Sequence, residues 1–237
     1  MSSTRNIELS HRPSNRDKYT IIIPAAGLGR RMKTYGPKSL TPLTHGTILS
    51  RQLKLIYESF NYSEVILVGG FEIDKLAKNL DDKVKLVYNE NYETTNVLHS
   101  IHLGLRKVKT DRVLVVYGDL VFNKQCVYLP FHGESGIVVA DGMKDEEVGC
   151  IFKNNILENI YYGLSNKWAQ IAYFTGLELE LLKTISEKNP DWFGFEAINQ
   201  IITLGGNFKV FLPKYGQASD IDSTYDLKKL DENFNQI

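Results

Sequence analysis

Thr20-Ile-Ile-Ile-Pro-Ala-Ala-Gly-Leu-Gly-Arg-Arg-Met-Lys-Thr-Tyr-Gly-Pro-Lys-Ser-Leu40 joins a short β-branched run to a loop of small residues and then to a cluster of basic ones. Ile21–Ile23 has the composition of a buried strand, and Pro24, with no N–H to give to a ladder, is expected to end it. Ala25, Ala26, Gly27, Leu28 and Gly29 follow at once. Small residues let a ligand approach the backbone, and successive N–H groups turned into one concavity hold an anion. Arg30, Arg31, Lys33 and Lys38 add fixed positive charge. A triphosphate needs that many donors together, so the stretch predicts a phosphate cradle with residues 25–30 against a nucleotide.

Two familiar phosphate motifs fail here on spacing. The dinucleotide fingerprint asks for a third glycine where Met32 stands, and no acidic residue closes a following strand at the expected distance. A P-loop asks for Gly-Lys-Ser/Thr, whereas Gly36 is followed by Pro37 and lies six residues beyond Gly29. What remains is Gly-x-Gly-x-Arg closed by Pro-Lys-x-Leu.

Outward from the cradle, strands and helices alternate. Thr47 can cap a helix that turns Ile48, Leu49, Leu53 and Ile56 inward; Glu64–Gly69 reads as a buried strand, Phe71–Leu80 as a short helix, Val84–Tyr88 as a strand and Thr95–Val108 as a helix. Such alternation predicts crossover connections and a mixed, mainly parallel central sheet covered on both faces, a Rossmann-like three-layer α/β sandwich. Arg112–Tyr117, another buried strand, runs straight into Gly118-Asp119, which places a carboxylate at the strand edge where α/β sheets bind ligands. Residues 136–174 read as hairpins extending the sheet, 178–187 and 192–204 as helices, 207–212 as a last strand and 224–234 as a closing helix. Residues 1–18 are polar without an apolar period, a flexible arm with docking in a homodimer as its alternative role. The remainder, 19–237, is expected as one domain, its nucleotide half at about 19–120 and its acceptor half at about 121–237.

Composition narrows the partners. Lys+Arg and Asp+Glu are both 28 in 237 residues, so no global field attracts nucleic acid or an anionic membrane. Cys126 and Cys150 have no metal-type spacing, no secretory signal opens the chain and no apolar run approaches a membrane span, which together predict a cytoplasmic protein with reduced, buried thiols.

Three more segments carry chemistry. Ser219-Asp-Ile-Asp-Ser-Thr224 places two carboxylates just ahead of the closing helix, of which only one is expected to face the crevice. In Tyr88-Asn-Glu-Asn-Tyr-Glu-Thr-Thr-Asn-Val-Leu-His-Ser100, Thr95 and Asn96 sit at a helix start, able to cap it or to bond a base edge, with Ser100 one turn on. Aromatics crowd the second half, among them Trp168, Tyr173 and Trp192. Most belong to the core, but a few around an acceptor can box a quaternary ammonium.

The cradle resembles the signature of the nucleotidyltransferases that activate sugar phosphates and small alcohol phosphates on a glycosyltransferase-A-like domain, and the 88–100 segment resembles that of their choline-phosphate and aminoalkylphosphonate cytidylyltransferase members. The resemblance implies Arg31 and Lys38 as the catalytic basic pair. It also implies Thr95, Asn96, Ser100 and Gly118 at the nucleotide, and Mg²⁺ on Asp119 and Asp222. Lys167 would neutralise the acceptor phosphate, with Trp168, Tyr173 and Trp192 beside it. The implied reaction moves a nucleoside monophosphate from an NTP, CTP foremost, to a small phosphorylated acceptor; a sugar-1-phosphate acceptor and an NTP sensor without turnover are the alternatives.

Overall fold

The computed structural model describes residues 18–29, 36–59, 62–127, 133–140, 147–221 and 225–227. The arm, apart from residue 18, lies outside these residues, as does most of the closing helix. β1 (Tyr19–Ala25) runs through the first half of a nine-stranded sheet. Its alternation sorts the two faces: Ile22 packs into one core, Ile21 and Ile23 into the other.

The chain continues through a small hairpin, β2 (Pro42–Leu43) and β3 (Gly46–Thr47), into α1 (Ile48–Ser59), then β4 (Tyr62–Gly69), α2 (Ile73–Lys78), β5 (Val84–Tyr88), α3 (Val97–Leu105), β6 (Arg112–Val116) and β7 (Leu120–Phe122). The second half adds β8 (Gly136–Ala140), β9 (Val148–Lys153), β10 (Ile156–Tyr162), β11 (Asn166–Thr175), α4 (Gly176–Lys188), α5 (Gly194–Thr203), β12 (Lys209–Phe211) and β13 (Ala218–Asp220). Sheet order is β5-β4-β1-β6-β11-β8-β12-β10-β9. From β5 to β6 the strands are parallel; beyond β6 they are antiparallel, save β12 beside β8, so the expected mainly parallel sheet holds for the first half alone. The residues of α3, α4 and α5 pack on one face with Ile22, Ile66 and Val115, those of α1 and α2 on the other with Ile21, Leu67 and Leu114. At roughly 1.5–3 kcal/mol for each fully buried aliphatic chain, these two cores supply the main drive for folding.

Pro24 does not end β1. It pairs with Val68 of β4, while its carbonyl points to the other side and accepts from Gly118 N–H at 3.0 Å. A strand residue directs N–H and C=O to the same side, and pairing with β6 ends at Ile22, so the missing proline N–H costs no ladder bond. Local chemistry starts the helices. Thr47 and Ser50 exchange side-chain-to-backbone bonds of 3.2 and 2.8 Å ahead of α1, and Glu196 reaches back to Phe193 N–H at 2.7 Å ahead of α5. Asn154 and Asn155, both left-handed at φ 51 and 60, make the tight turn between β9 and β10. Among the described residues no helix is long and apolar enough to cross a membrane.

On α3, away from the sheet edge that binds ligands, His99 and His102 stack with ring centroids 6.2 Å apart, and His102 Nδ1 shares a hydrogen bond with Ser186 Oγ of α4. Both imidazoles sit below the ordinary 6.5: His99 through burial and then His102, His102 through burial and then Arg106, against an opposing pull from Glu187. A histidine whose folded pKa is depressed gives stability that is present above its unfolded value and lost as the pH falls, because the denatured chain takes up the proton first. The melting temperature should therefore drop between about pH 7 and 5.5, and drop less in a His99→Gln, His102→Gln variant; equal drops in thermal melts would show that these rings do not contribute.

Candidate active site

A cavity of about 1040 Å³ opens at the carboxyl ends of β1 and β6 and reaches across β11 to the start of α5. Ala25, Ala26, Gly27 and Gly29 form one rim. Their loop is tied down on both flanks, by Phe71 N–H on Ala26 O at 3.1 Å and Gly118 N–H on Pro24 O at 3.0 Å. Leu28 is half-buried and does not line the cavity. Gly29 is left-handed at φ 53, and a Cβ there would lie 2.8 Å from Lys38 Cγ. A glycine is thus required twice over, for the turn and for the lysine that folds back across it. Lys38 opens the short 3-10 turn Lys38–Leu40, and its Nζ comes to 3.3 Å from Asp119 Oδ2. Arg30 and Arg31 lie outside the described residues.

Asp119 and its surroundings are positioned by a pairing of residues far apart in sequence. β7 and β13 form a two-stranded ladder with Leu120 opposite Asp220, and Ile221 N–H donates to Asp119 O at 3.0 Å. Gln52 of α1, itself buried, donates to the Tyr117 and Leu120 carbonyls at 2.8 Å each and so clamps the turn that carries Gly118 and Asp119. Asp220, the carboxylate passed over in favour of Asp222, lines the cavity, as does Glu147. Asp222 lies outside the described residues. Among the described residues no group of three or more His, Cys, Asp or Glu gathers as a metal cluster. The donors at hand are nevertheless hard carboxylate oxygens on the cavity wall, and Asp220 Oδ1 is buried with no hydrogen bond, only the Lys167 ammonium at 3.7 Å. Mg²⁺, which binds through one or two carboxylates plus phosphate and water, fits such a set.

Lys167 departs from expectation. Its side chain is 2% exposed, its ammonium engaged by Glu147 Oε1 at 2.5 Å, with Asp220 Oδ1 at 3.7 Å, and it does not line the cavity. A lysine spent inside the wall in this way holds carboxylates in place; it is not presented to an acceptor phosphate. Tyr173 is also displaced from its expected place. It is fully buried in the core on the α1 face, against Tyr19 at 5.2 Å between centroids. The Trp192 side chain packs on the α3–α5 core, and it is the Trp192 carbonyl that matters locally, accepting from Leu98 N–H at 3.2 Å.

Trp168 does line the cavity, through an irregularity in β11. Register with β8 slips between Trp168 and Ala172, Gln170 is left-handed at φ 55, and the Trp168 indole N–H reaches across to Ile171 O at 3.4 Å. A non-glycine residue held there costs roughly 1–2 kcal/mol, and bulges of this kind re-aim side chains at sites. On the α3 side, Asn96 is the helix cap, its Oδ1 accepting from Val97 N–H at 2.8 Å. Thr95 Oγ1 donates to Asn91 O at 2.7 Å, and the buried Asn89 amide reaches both Thr95 at 3.3 Å and Ser100 at 3.1 Å. Thr95, Asn96 and Ser100 all face the cavity together with Gly118.

The sequence profile of the MobA-like NTP transferase domain matches residues 21–158. The chain belongs to that family. This NTP transferase domain is similar over 100 residues (42% of the chain, 34% identity) to the bifunctional protein GlmU of Francisella philomiragia, of which the match spans 22%. Over 105 residues it is 28% identical to the 2-C-methyl-D-erythritol 4-phosphate cytidylyltransferase of Fusobacterium nucleatum, spanning 44% of that protein. The chain thus spans less than half the length of these curated relatives. Its fold is that of the CTP:phosphocholine cytidylyltransferase of Streptococcus pneumoniae (TM-score 0.74, 18% identity, 92% of this chain and 99% of that one). The inositol-1-phosphate CTP transferase of T. maritima superposes equally (TM-score 0.74, 16% identity, 92% and 98%).

Among the residues of this NTP transferase domain's cavity, Asn89, Tyr117, Glu147 and Gln170 are given no site role by the sequence, and Tyr162, Phe193 and Phe195 figure there only as members of the aromatic-rich second half. Phe193 and Phe195 stack 5.6 Å apart at 11°, and Tyr162 meets Phe195 edge-on at 5.4 Å. The aromatic cluster was visible as composition; which rings face the cavity follows from the α5 start, where Phe193 caps and Phe195 enters the first turn.

Proposed function

We propose that the protein is a nucleotidyltransferase that moves CMP from CTP to a small phosphate- or phosphonate-bearing acceptor such as phosphocholine, releasing pyrophosphate. The observation that carries this reading is the approach of Lys38 Nζ to Asp119 Oδ2, 3.3 Å, where the small-residue loop meets the end of β6. A cation for phosphate and a carboxylate for a metal stand side by side at the end of a parallel strand. An acceptor phosphate oxygen, already ionised at neutral pH, attacks the α-phosphorus in line, and the bond to the β-phosphate oxygen breaks. No general base is needed; the chain's part is to position the two anions and to neutralise charge. Lys38 and Arg31 take the triphosphate. Asp119 and Asp222, or Asp220 of the cavity wall in place of Asp222, would hold Mg²⁺, which when bound supplies Lewis-acid polarisation of the phosphate. The acceptor side suits a cationic head group: Trp168, Tyr162, Phe193 and Phe195 line the cavity, and Glu147 and Asp220 together carry one more charge than the Lys167 ammonium they engage.

Pyrophosphate release with Mg²⁺, each of the four NTPs and a panel of phosphocholine, 2-aminoethylphosphonate and glucose-1-phosphate tests the reading. CTP with an aminoalcohol acceptor is the expected combination; release with glucose-1-phosphate alone would move the protein to the sugar-phosphate enzymes, and NTP binding without turnover to the sensors. Asp119→Asn and Asp222→Asn should each raise the Mg²⁺ concentration for half-maximal rate by about tenfold or more. Unchanged Mg²⁺ dependence in both would remove the metal assignment.

A further inference from the structure

Tyr117 stands at the end of β6 with its backbone fixed, its N–H on Gln170 O at 3.4 Å and its carbonyl under the Gln52 amide at 2.8 Å. Its ring meets Trp168 edge-on, centroids 5.7 Å apart at 75°. Its hydroxyl lies directly against Gly194, the first residue of α5. The fit there is close: a Cβ on Gly194 would overlap the Tyr117 hydroxyl oxygen, with Tyr117 Cζ next at 3.4 Å, whereas the nearest atom of any other residue, Ile101 Cδ1 at 3.8 Å, is in ordinary contact. The segment leading into α5 hangs on α3 through Asn96 N–H on Pro190 O at 2.8 Å and Leu98 N–H on Trp192 O at 3.2 Å. Phe193 and Phe195, on either side of Gly194, both line the cavity.

We propose that Tyr117 is a positioning residue for acceptor specificity: its hydroxyl, seated against the bare Cα of Gly194, sets how far the first turn of α5 enters the cavity and so which head group the Phe193–Phe195 wall admits. The acceptor part of this rests on the transferase reading above. Position 194 excludes any side chain because the phenol occupies that space, and the phenol is held because two elements of the sheet and α1 fix its backbone. Geometry of this kind couples two residues non-additively, which separates it from a general loss of packing.

Tyr117→Phe, Gly194→Ala and the double variant of the full chain test it by amide hydrogen exchange and by kinetics with separate titration of NTP and acceptor. In Tyr117→Phe the amides of Gly194–Ala197 should exchange about three- to tenfold faster, as the loss of the hydroxyl that seats the first turn of α5 implies. Gly194→Ala should raise the acceptor KM about tenfold with the NTP KM within about twofold, the range a misplaced apolar wall gives. In the Tyr117→Phe background the same alanine should add little, because the oxygen it would strike is gone. Unchanged exchange in Tyr117→Phe, additive effects in the double variant, or equal rises in both KM values would each overturn the proposal. A wild-type protein that turns over no acceptor with any NTP would remove the transferase reading and the acceptor assignment with it, while the exchange measurement still decides whether the hydroxyl holds α5.

Discussion

Lys38→Ala should lower the rate of pyrophosphate release by about 10²–10³-fold, the loss found when one preorganised charge donor is taken from a polar transition state. The lysine is placed by three local features: the 3-10 turn that begins with it, the left-handed Gly29 whose bare Cα leaves room for its stem, and Asp119 at 3.3 Å. Its side chain is 21% exposed, so the ammonium is screened by water on one side and faces the cavity on the other. An anion entering the cradle gains this charge without reorganisation, which makes the effect fall on turnover most and on NTP affinity less. Arginine should rescue only partly, because its planar fork is longer and cannot follow the same fold-back over Gly29. Calorimetric NTP affinity equal to that of the wild type would sink the cradle assignment, whatever the rate.

Lys167→Met should destabilise the fold by about 3–5 kcal/mol, the range seen when one member of a buried ion pair is removed. The substitution keeps most of the volume and strips the charge, so Glu147 and Asp220, with side-chain exposures of 9% and 19%, would both lose the ammonium that engages them. Urea denaturation would measure it. Lys167→Met combined with Glu147→Gln should regain much of the loss, since an uncharged amide asks less of its surroundings. A cost under about 1 kcal/mol in the single variant would place the group among solvated surface pairs and contradict the burial.

Much of this was legible in the sequence, for reasons that differ from element to element. β4, β6 and β8 announced themselves as apolar runs, because burial on both faces leaves few other residues eligible, and the Asn-Asn turn as turn chemistry. The β7–β13 and β2–β3 ladders escaped, being two or three residues long and without a period to read. Tyr173 was misplaced although period two contained the answer: Trp168 and Tyr173 are an odd number of positions apart, so their faces differ, and they enter opposite cores. Lys167 could not be read at all. Its partners lie 20 and 53 positions away, and a lysine among strands looks the same whether it meets a phosphate or a glutamate.

During vectorial synthesis the cradle, α3 and the Asp119 turn leave the ribosome long before Ala218–Asp220, whose ladder with β7 places the Asp220 carboxylate in the cavity wall. β12 likewise enters between β8 and β10 only after α5 has been made. A nascent chain stalled short of residue 218 would therefore present the loop of Ala25–Gly29 and Lys38 without the strand that closes the site, and truncation from the carboxyl end should abolish the pocket before it abolishes the parallel half of the sheet.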